Sequence, residues 1–293
     1  MEHECLLSKA AGHLIPGQIL PASLLPELQA EAGLPDTDAL MQALLPFAQS
    51  LARPPISGFR VGAIGLARET GDLIFGANLE FPGGKATDTI HAEQYLFSRA
   101  YHLGVHISRM AVSARPCGHC RQFIKEFSES DRLTILDAEA GPLCLADLLP
   151  FSFGPAELER EAADPATRQP LELAEDARLT EPAVLAALMA AGERAHCPYS
   201  GEPVAVALLL DDGSIVTGSA IENAAYNPGL PPLQAALINL SAGGREYHEI
   251  ESALIGYVAE TPFGYSAPTT RLLAIIAPGA LLERVSWRRR GCS

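Results

Sequence analysis

The sequence is poor in positive charge. It contains 21 Lys and Arg residues against 35 Asp and Glu residues, which gives a formal net charge of −14 at pH 7. Because proteins bind the nucleic-acid backbone mainly through Lys and Arg, this balance argues against a nucleic-acid partner and favours a neutral small molecule. The one basic cluster is the triplet Arg288-Arg289-Arg290, and short runs of this kind are usually solvated.

Long hydrophobic runs are also missing. The longest clean one, Val204 to Leu210, is far shorter than the ~18 residues that a membrane-spanning helix needs. The first residues, Met1 to Cys5, are acidic, whereas a signal peptide begins with a basic segment followed by an apolar stretch. We therefore expect a soluble, cytoplasmic protein without a membrane partner.

Cysteine is scarce, with six residues in 293. Two of them form the pair Cys117-x-x-Cys120, and in a chain without an export signal this spacing indicates metal binding or redox chemistry before a disulfide framework. Four others are expected to be ordinary thiols: Cys5, Cys144, Cys197 and Cys292. Apolar residues make up 48% of the chain, which is enough for two domains that each bury a core.

The chain contains an internal repeat. The tetrapeptides Pro55-Ile56-Ser57-Gly58 and Pro198-Tyr199-Ser200-Gly201 each lead into an apolar run that is typical of a buried strand. Further matches follow in the same order: Gly71 with Gly213, Gly76 with Gly218, Glu80 with Glu222, and Pro116 with Pro262. These ordered matches predict a duplicated domain.

Strands alternate with helices in both copies. The first copy is predicted to form helices over 39–52, from 91 and over 118–129, and strands over 61–67, 72–76, 107–113 and 132–136; the second has helices near 181–195, 231–242 and 268–276. Asp88 or Thr89 is expected to cap the helix that begins near His91. This alternation predicts a duplicated α/β fold of three α/β/α layers with a mixed central sheet.

The domain boundaries follow from the repeat and from composition. We expect a short helical segment over residues 1–36, the first copy over 37–156, a mostly solvated linker over 157–174 and the second copy over 175–293.

The strongest candidate site combines His91-Ala92-Glu93 with Pro116-Cys117-Gly118-His119-Cys120. One imidazole and two thiolates suit Zn²⁺ and leave a fourth tetrahedral position open. The first turn of a helix that begins after Pro116 would favour both thiolates. Zinc acidifies a water that it binds, and the Glu93 carboxylate can accept and redeliver the proton.

A structural zinc knuckle or a redox pair is the alternative for Cys117 and Cys120. A structural zinc normally has four protein ligands, and His119 is the obvious candidate for the fourth. It lies between the two cysteines in the sequence, however, where sharing their metal would strain it. Together with Glu93, the ligand set favours a catalytic site.

The sequence resembles the cytidine deaminases, specifically the long bacterial type with two domain copies, from about residue 40 to the end. The motif H-x-E…P-C-x-x-C is a known signature of zinc deaminases. Five segments carry the resemblance: Pro55 to Phe59, Phe75 to Phe81, Thr89 to Gln94, Pro116 to Phe123 and Leu149 to Pro155.

The resemblance implies the activity and its cofactor. The reaction would be hydrolytic deamination of cytidine and deoxycytidine to uridine and deoxyuridine, with release of ammonia, in pyrimidine salvage. One Zn²⁺ per chain would be held by His91, Cys117 and Cys120, Glu93 would protonate N3 of the pyrimidine and carry a proton to the departing ammonia, and the chain would form a homodimer.

The resemblance also assigns the substrate contacts. Asn78 and Glu80 would bind the ribose, Phe59 would pack against the pyrimidine, and the Ala92 backbone N–H would hold the pyrimidine carbonyl. Phe153 would reach the site of a neighbouring subunit. The alternatives are that Asn78 stabilises a turn after Gly76 and that Phe59 is an ordinary core residue.

The second copy lacks these groups. In the sequence alignment Pro232 replaces His91, Gln234 replaces Glu93, Phe263 and Ser266 replace the cysteines, and Ala220 replaces Asn78. We expect this copy to bind no metal and to have a structural role.

Arg115 departs from the family pattern, which commonly has a small hydroxyl residue there. The arginine could lower the basicity of the thiolates or point to solvent.

Two other functions share part of this pattern. A deaminase that edits polynucleotides would need a basic groove, which the net charge disfavours. A zinc-stabilised module that binds a nucleoside without converting it would not need Glu93.

Overall fold

The computed structural model describes residues 2–15, 17–174, 181–258 and 264–290. The chain divides into two units: Met1–Phe81 with Thr89–Gly154, and Pro82–Asp88 with Pro155–Ser293. Phe263 and Cys292, for which the sequence analysis gives expectations, lie outside the described residues. Among the described helices, none has both the length and the apolar character needed to cross a bilayer.

The first unit is built on a mixed sheet of six strands, in the order β1-β3-β2-β4-β5-β6. Only β4 and β5 run parallel, and every other neighbouring pair is antiparallel. Its elements are α1 (Glu2–His13), β1 (Ile19–Leu20), α2 (Leu25–Glu31), α3 (Thr37–Ser50), β2 (Gly62–Ala67), β3 (Leu73–Ala77), α4 (Ala92–Leu103), β4 (Ile107–Val112), α5 (Gly118–Lys125), β5 (Thr134–Asp137), β6 (Gly141–Cys144) and α6 (Leu145–Leu148).

Helices α3 and α4 cover opposite faces of this sheet. Successive strand residues point to opposite faces, and in β2 a Cβ on Gly62 would overlap Ala48 of α3, whereas a Cβ on Gly65 would overlap Leu96 of α4. The absence of side chains at these glycines lets the helices approach the strands closely. The N-terminal segment adds β1 to the edge at β3, and Leu20 joins the core that α3 covers.

The helix cap predicted at Asp88 or Thr89 is wrong. The N-cap of α4 is His91, whose backbone N–H donates to Gln94 Oε1 at 3.1 Å. Asp88 belongs to the second unit, where both of its carboxylate oxygens accept hydrogen bonds from Arg271 at 2.8 and 2.9 Å. Helix α4 is therefore capped by His91 together with Gln94. Its N-cap residue is also a predicted zinc ligand.

The second unit is built on a mixed sheet of five strands, in the order β7-β11-β10-β8-β9. Here β10 and β11 are the parallel pair. Its elements are β7 (Leu171–Leu173), α7 (Pro182–Arg194), β8 (Ala205–Leu210), β9 (Ile215–Ser219), α8 (Pro232–Ala242), β10 (Ile250–Val258), α9 (Ser266–Ile276) and β11 (Leu281–Arg289).

Helices α7 and α8 again lie on opposite faces. In β9 the hydroxyl of Ser219 donates to Ala191 O of α7, whereas a Cβ on Gly218 would overlap Ala236 of α8. The duplicated three-layer α/β architecture with mixed sheets is confirmed. Strand β7 lies in the segment predicted to be a solvated linker, and Leu171 is buried in the core of this unit.

Candidate active site

Three predicted metal ligands meet at one point of the first unit. The Cys117 and Cys120 sulfurs are 3.6 Å apart, and His91 Nδ1 lies 3.5 Å from the first and 3.3 Å from the second. They form a group of potential ligands that does not include His119. His119 was the candidate for a fourth protein ligand, so the group keeps the composition of an open, three-ligand site.

This donor set fits zinc. Zn–S bonds of about 2.3 Å and Zn–N bonds of about 2.0–2.1 Å place tetrahedral ligands roughly 3.5–3.8 Å apart, and the three observed separations lie close to that range. One nitrogen and two sulfurs are also ligands that Zn²⁺ prefers over Mg²⁺ or Ca²⁺. The residues present can therefore hold a zinc ion.

Helix α5 prepares the Cys117 sulfur for metal binding, whereas the hydrogen bond with Cys117 and burial raise the pKa of the Cys120 thiol. Cys117 is the N-cap of this helix and Cys120 lies in its first turn, where backbone N–H groups are unpaired and the dipole is positive. Hydrogen bonding from Cys120, together with the backbone N–H groups of Cys120 and His119, lowers the pKa of the Cys117 thiol to about 4. A thiolate is the form that binds zinc.

The sheet and helix α4 place His91. The preceding residue, Ile90, forms an antiparallel bridge with Leu79, the two backbones exchanging hydrogen bonds of 2.9 Å. Gly76 of β3 lies against the first turn of α4, where a Cβ would come within 2.7 Å of Ala92 O. This close contact fixes the start of α4 and thereby the position of the imidazole.

Glu93 lies beside the ligand group in the first turn of α4. Its side chain is only 4% exposed and hydrogen-bonds Cys120. Burial raises the pKa of the Glu93 carboxyl, and hydrogen bonding only partly offsets this effect. A carboxyl with a raised pKa can hold a proton near neutral pH and pass it on.

A cavity of about 270 Å³ opens next to these groups. It brings together most of the predicted site residues: Phe59, Asn78, Glu80, His91, Ala92, Glu93 and Cys117, with Ser57, Val61, Thr89, Ala114 and Arg115. Phe59 is 62% exposed and so is not a core residue. Ala92 is the first residue of α4, so its N–H has no partner within the helix.

Phe153 lies outside the lining of this cavity. Its ring is 45% exposed, and its backbone carbonyl accepts a hydrogen bond from Gln122 Nε2 at 2.8 Å. Cys120 is fully buried and belongs to the ligand group, but it is not among the residues that line the cavity.

Asn78 and Glu80 organise the loop that carries Phe59. Asn78 Oδ1 accepts from Val61 N at 2.9 Å and its Nδ2 donates to Phe59 O at 3.0 Å. Glu80 Oε2 accepts from the backbone N–H groups of Ile56 and Ser57.

The second oxygen of Glu80 faces a hydroxyl. Glu80 Oε1 accepts from Ser57 Oγ at 2.6 Å. Partial burial raises the pKa of Glu80, but the hydrogen bonds from Ser57 and Ile56 outweigh this effect and lower it. Glu80 is therefore a carboxylate at neutral pH.

Arg115 is held by two acidic side chains. Its guanidinium donates to Asp137 at 2.7 and 3.2 Å and to Glu139 at 2.7 Å. This pairing was not predicted from the sequence, because Asp137 ends strand β5 and Glu139 follows it, and helix α5 separates that strand from Arg115 along the chain.

The second copy repeats the backbone of this site. Glu222 Oε2 accepts from Tyr199 N and Ser200 N at 2.9 and 3.1 Å, as Glu80 does from Ile56 and Ser57. Ile221 and Leu230 form the bridge that corresponds to Leu79 and Ile90. Gly218 lies against the first turn of α8, where a Cβ would meet Pro232 O.

These contacts correct the alignment at the helix start. Pro231 is the N-cap of α8 and its carbonyl accepts from Ala235 N, as the His91 carbonyl accepts from Tyr95 N. Pro231 is therefore the counterpart of His91, and Leu233 that of Glu93. The predicted pairs with Pro232 and Gln234 were one residue too far along, because the connection before the helix is shorter in the second copy than the alignment allowed.

The corrected counterparts, Pro231 and Leu233, also lack metal-ligating and acid–base side chains. Proline has no side-chain donor and leucine has no titratable group. The sequence alignment pairs Cys120 with Ser266, but Cys120 is the third residue of α5 and Ser266 the first residue of α9, so the two helix starts are offset as well.

Comparisons with known proteins agree with this picture. The family model described as "Cytidine and deoxycytidylate deaminase zinc-binding region" matches residues 35–136 and a second model of the same description matches 145–262. A cytidine deaminase from Vibrio atlanticus (strain LGP32) is 41% identical over 263 residues, which cover 88% of this chain and 87% of that protein.

Solved structures match one part of the chain. The cytidine deaminase from Mycobacterium tuberculosis covers 41% of this chain and 99% of its own at 26% identity, with a TM-score of 0.36. That from Mycobacterium leprae covers 40% of this chain and 99% of its own at 26% identity, with a TM-score of 0.35.

Proposed function

The chain belongs to the cytidine deaminase family, and we propose that it catalyses the zinc-dependent hydrolytic deamination of cytidine and deoxycytidine to uridine and deoxyuridine, with release of ammonia. One observation carries the proposal. His91, Cys117 and Cys120 converge beside the buried carboxyl of Glu93, at the wall of a cavity of about 270 Å³.

The site residues divide the work of the reaction. Bound zinc supplies Lewis-acid activation of the attacking water. The Glu93 carboxyl moves the protons: it takes one from the water, delivers it to N3 of the pyrimidine and carries another to the leaving amino group. The N–H of Ala92 holds the pyrimidine carbonyl, and the ring of Phe59 covers the base.

The sugar would bind at Glu80 and Asn78. Glu80 Oε1 is held by the Ser57 hydroxyl, not by a backbone N–H. A sugar hydroxyl can therefore take the place of Ser57 without leaving a backbone donor unpaired. Asn78 keeps the adjoining loop in position through its two backbone hydrogen bonds.

We propose a homodimer in which the copy over 37–156 is catalytic and the copy over 175–293 is not. Exposed aromatic side chains at the end of the first unit, Phe151 and Phe153, support an interface there. Phe153 would reach the neighbouring subunit's site across it. Cys5, Cys117, Cys120, Cys144 and Cys197 carry free thiols, which supports action in the cytoplasm.

The decisive experiment compares the wild type with Glu93→Gln. Purified protein is mixed with cytidine, and ultraviolet absorbance, ammonia and zinc content are measured on the same sample. The variant should retain its zinc and lose about 10²–10⁴-fold in kcat, the usual contribution of a positioned acid–base group. Glu172→Gln is the control, because the Glu172 side chain lies in a surface ion pair with Arg288; this variant should leave kcat unchanged.

Two results would reject the proposal. Turnover on single-stranded DNA or RNA without turnover of free cytidine would indicate a polynucleotide deaminase. Binding of cytidine without ammonia release by the wild type would indicate a binding module.

A further inference from the structure

The second copy retains a cavity at the place that corresponds to the active site of the first. Its volume is about 310 Å³, against about 270 Å³ in the first copy. Its lining includes Glu222 and Tyr199, the counterparts of Glu80 and Ile56. The other lining residues are Asn223, Tyr226, Asn227 and Tyr265. A cavity therefore persists beside the counterpart of Glu80, and Pro231 and Leu233 are not among its lining residues.

Glu222 carries an unused hydrogen-bond acceptor in this cavity wall. The residue is 5% exposed, and its Oε2 accepts from two backbone N–H groups. In the described part of the chain Oε1 has no hydrogen-bond partner, whereas the corresponding atom of Glu80 is held by Ser57. A buried polar atom without a partner is costly, so a ligand that donates to Oε1 would gain by satisfying it.

Three tyrosines give the cavity a surface that suits a flat ring. The rings of Tyr199 and Tyr226 are 6.1 Å apart and inclined at 41°. Burial raises the pKa of Tyr265, so its phenol is neutral. Aromatic side chains of this kind pack against the faces of nucleobases.

The backbone at Tyr226 is also unusual. Its φ is +64°, a left-handed conformation that is costly for a bulky residue and that Asn or Gly adopts more readily. The ring at this position is 58% exposed and lines the cavity mouth.

We propose that this second cavity binds a neutral free nucleoside through a sugar hydroxyl on Glu222 and the tyrosine rings, and that it does not convert its ligand. Conversion is excluded by Pro231 and Leu233, which stand where His91 and Glu93 stand in the first copy. A phosphorylated ligand is disfavoured because its phosphate would meet the acidic side chain of Glu222 in the cavity wall. This inference goes beyond the proposed function and does not depend on it.

Equilibrium dialysis of the full-length zinc-loaded protein with radiolabelled uridine tests the inference. Uridine is used because a deaminase would not consume it. We expect two binding sites per chain. Tyr226→Asn should weaken one of them by about tenfold, which corresponds to a loss of about 1.4 kcal/mol of stacking. Phe59→Ala should weaken the other and leave the first unchanged.

The choice of asparagine separates binding from folding. Because Asn tolerates the backbone of Tyr226, the variant should unfold at the same or a higher denaturant concentration than the wild type. Glu222→Gln provides a second variant, which should lose affinity at the same site as Tyr226→Asn. Uridine 5′-monophosphate should compete more weakly than uridine for that site.

The inference would be overturned if no uridine site, whether one or two are found per chain, were weakened by Tyr226→Asn and Glu222→Gln. Preferential binding of an aliphatic amine over uridine would replace the nucleoside with a cationic ligand. A protein that binds two uridines but fails to deaminate cytidine would contradict the proposed function and leave this inference standing.

Discussion

The two copies share a backbone and differ in a handful of side chains. Both hold a loop by a carboxylate, Glu80 or Glu222, that accepts from two consecutive N–H groups. Both pack a glycine of the second hairpin strand, Gly76 or Gly218, against the first turn of the following helix. The comparison shows that the backbone arrangement around the site is a property of the fold, whereas the chemistry of the site depends on side chains that can be replaced.

The two copies differ at the start of the helix that follows the second hairpin strand, α4 in the first copy and α8 in the second. In the first copy Gln94 Oε1 accepts from the His91 N–H. In the second copy Pro231 has no N–H to donate, and Pro232 begins the helix with the φ angle that a first helical residue needs. Proline can thus start this helix as well as histidine, but it cannot ligate a metal.

The largest effect should come from removing one zinc ligand. Cys117→Ala leaves two protein ligands, so the purified variant should contain almost no zinc and retain less than about a thousandth of the wild-type kcat, because the unassisted attacking water is far less acidic. Zinc is measured by atomic absorption and kcat with cytidine. Cys144→Ser, which changes an exposed free thiol, should retain one zinc per chain and full activity.

That prediction also tests whether the second copy is free of metal. Wild-type protein with two tightly held zinc ions per chain, or Cys117→Ala protein with one, would show that a second metal site exists outside the His91, Cys117 and Cys120 group.

The two equivalent glycines should separate folding from catalysis. Gly76→Ala and Gly218→Ala both force a Cβ against the first turn of a helix, so each should lower the free energy of unfolding by about 1–3 kcal/mol. Only Gly76→Ala displaces the helix that carries His91 and Glu93, and a shift of about 1 Å there costs about 10²-fold in activity.

Denaturant unfolding and kcat/KM measured on both variants check this prediction. Equal losses of activity in the two variants would show that the second copy is coupled to the reaction as tightly as the first.

How much the sequence predicts depends on the kind of feature. The metal ligands were predictable, because His91, Glu93 and the two cysteines have side chains that few other functions combine at that spacing. The counterpart of His91 was not, because only the bridge between Ile221 and Leu230 reveals where the second helix starts. An alignment without those backbone contacts places it one residue late.

Short elements at the sheet edges were also missed. Strand β1 has two residues and β7 has three, so neither shows the alternation by which a strand is predicted. Leu171 illustrates the difficulty: its burial depends on pairing between β7 and the distant strand β11. The position of Phe153 relative to a second subunit is still a prediction.

A smaller effect is expected from two buried asparagines. Asn78→Ala leaves the Val61 N–H without its acceptor and frees the loop of Phe59, so stability should fall by about 1–3 kcal/mol and kcat/KM by about 10–100-fold. Asn239→Ala removes a comparable bond to Thr217 O in the second copy. It should lower stability by about 1 kcal/mol and leave kcat/KM unchanged.

For each variant, the loss of kcat/KM is compared with the loss of stability. Should Asn78→Ala lower stability alone, with kcat/KM at the wild-type value, Asn78 would be a loop-stabilising residue with no part in substrate binding.

The smallest effect should come from Arg115, whose side chain lies near the cavity but is paired with Asp137 and Glu139. The guanidinium, together with the N–H groups of Ala140 and Glu139, holds the pKa of Asp137 well below its ordinary value of 3.8. A lowered carboxyl pKa stabilises the fold above that ordinary value, and this contribution is lost as the pH falls toward the lowered one. Arg115→Ala should therefore begin to unfold at a higher pH than the wild type in an acid titration followed by circular dichroism, while Arg288→Ala should shift the transition less. At neutral pH, kcat/KM and zinc content should both stay within about threefold of the wild type, because an exposed ion pair contributes little there. A larger change in zinc content would mean that the arginine acts on the thiolates.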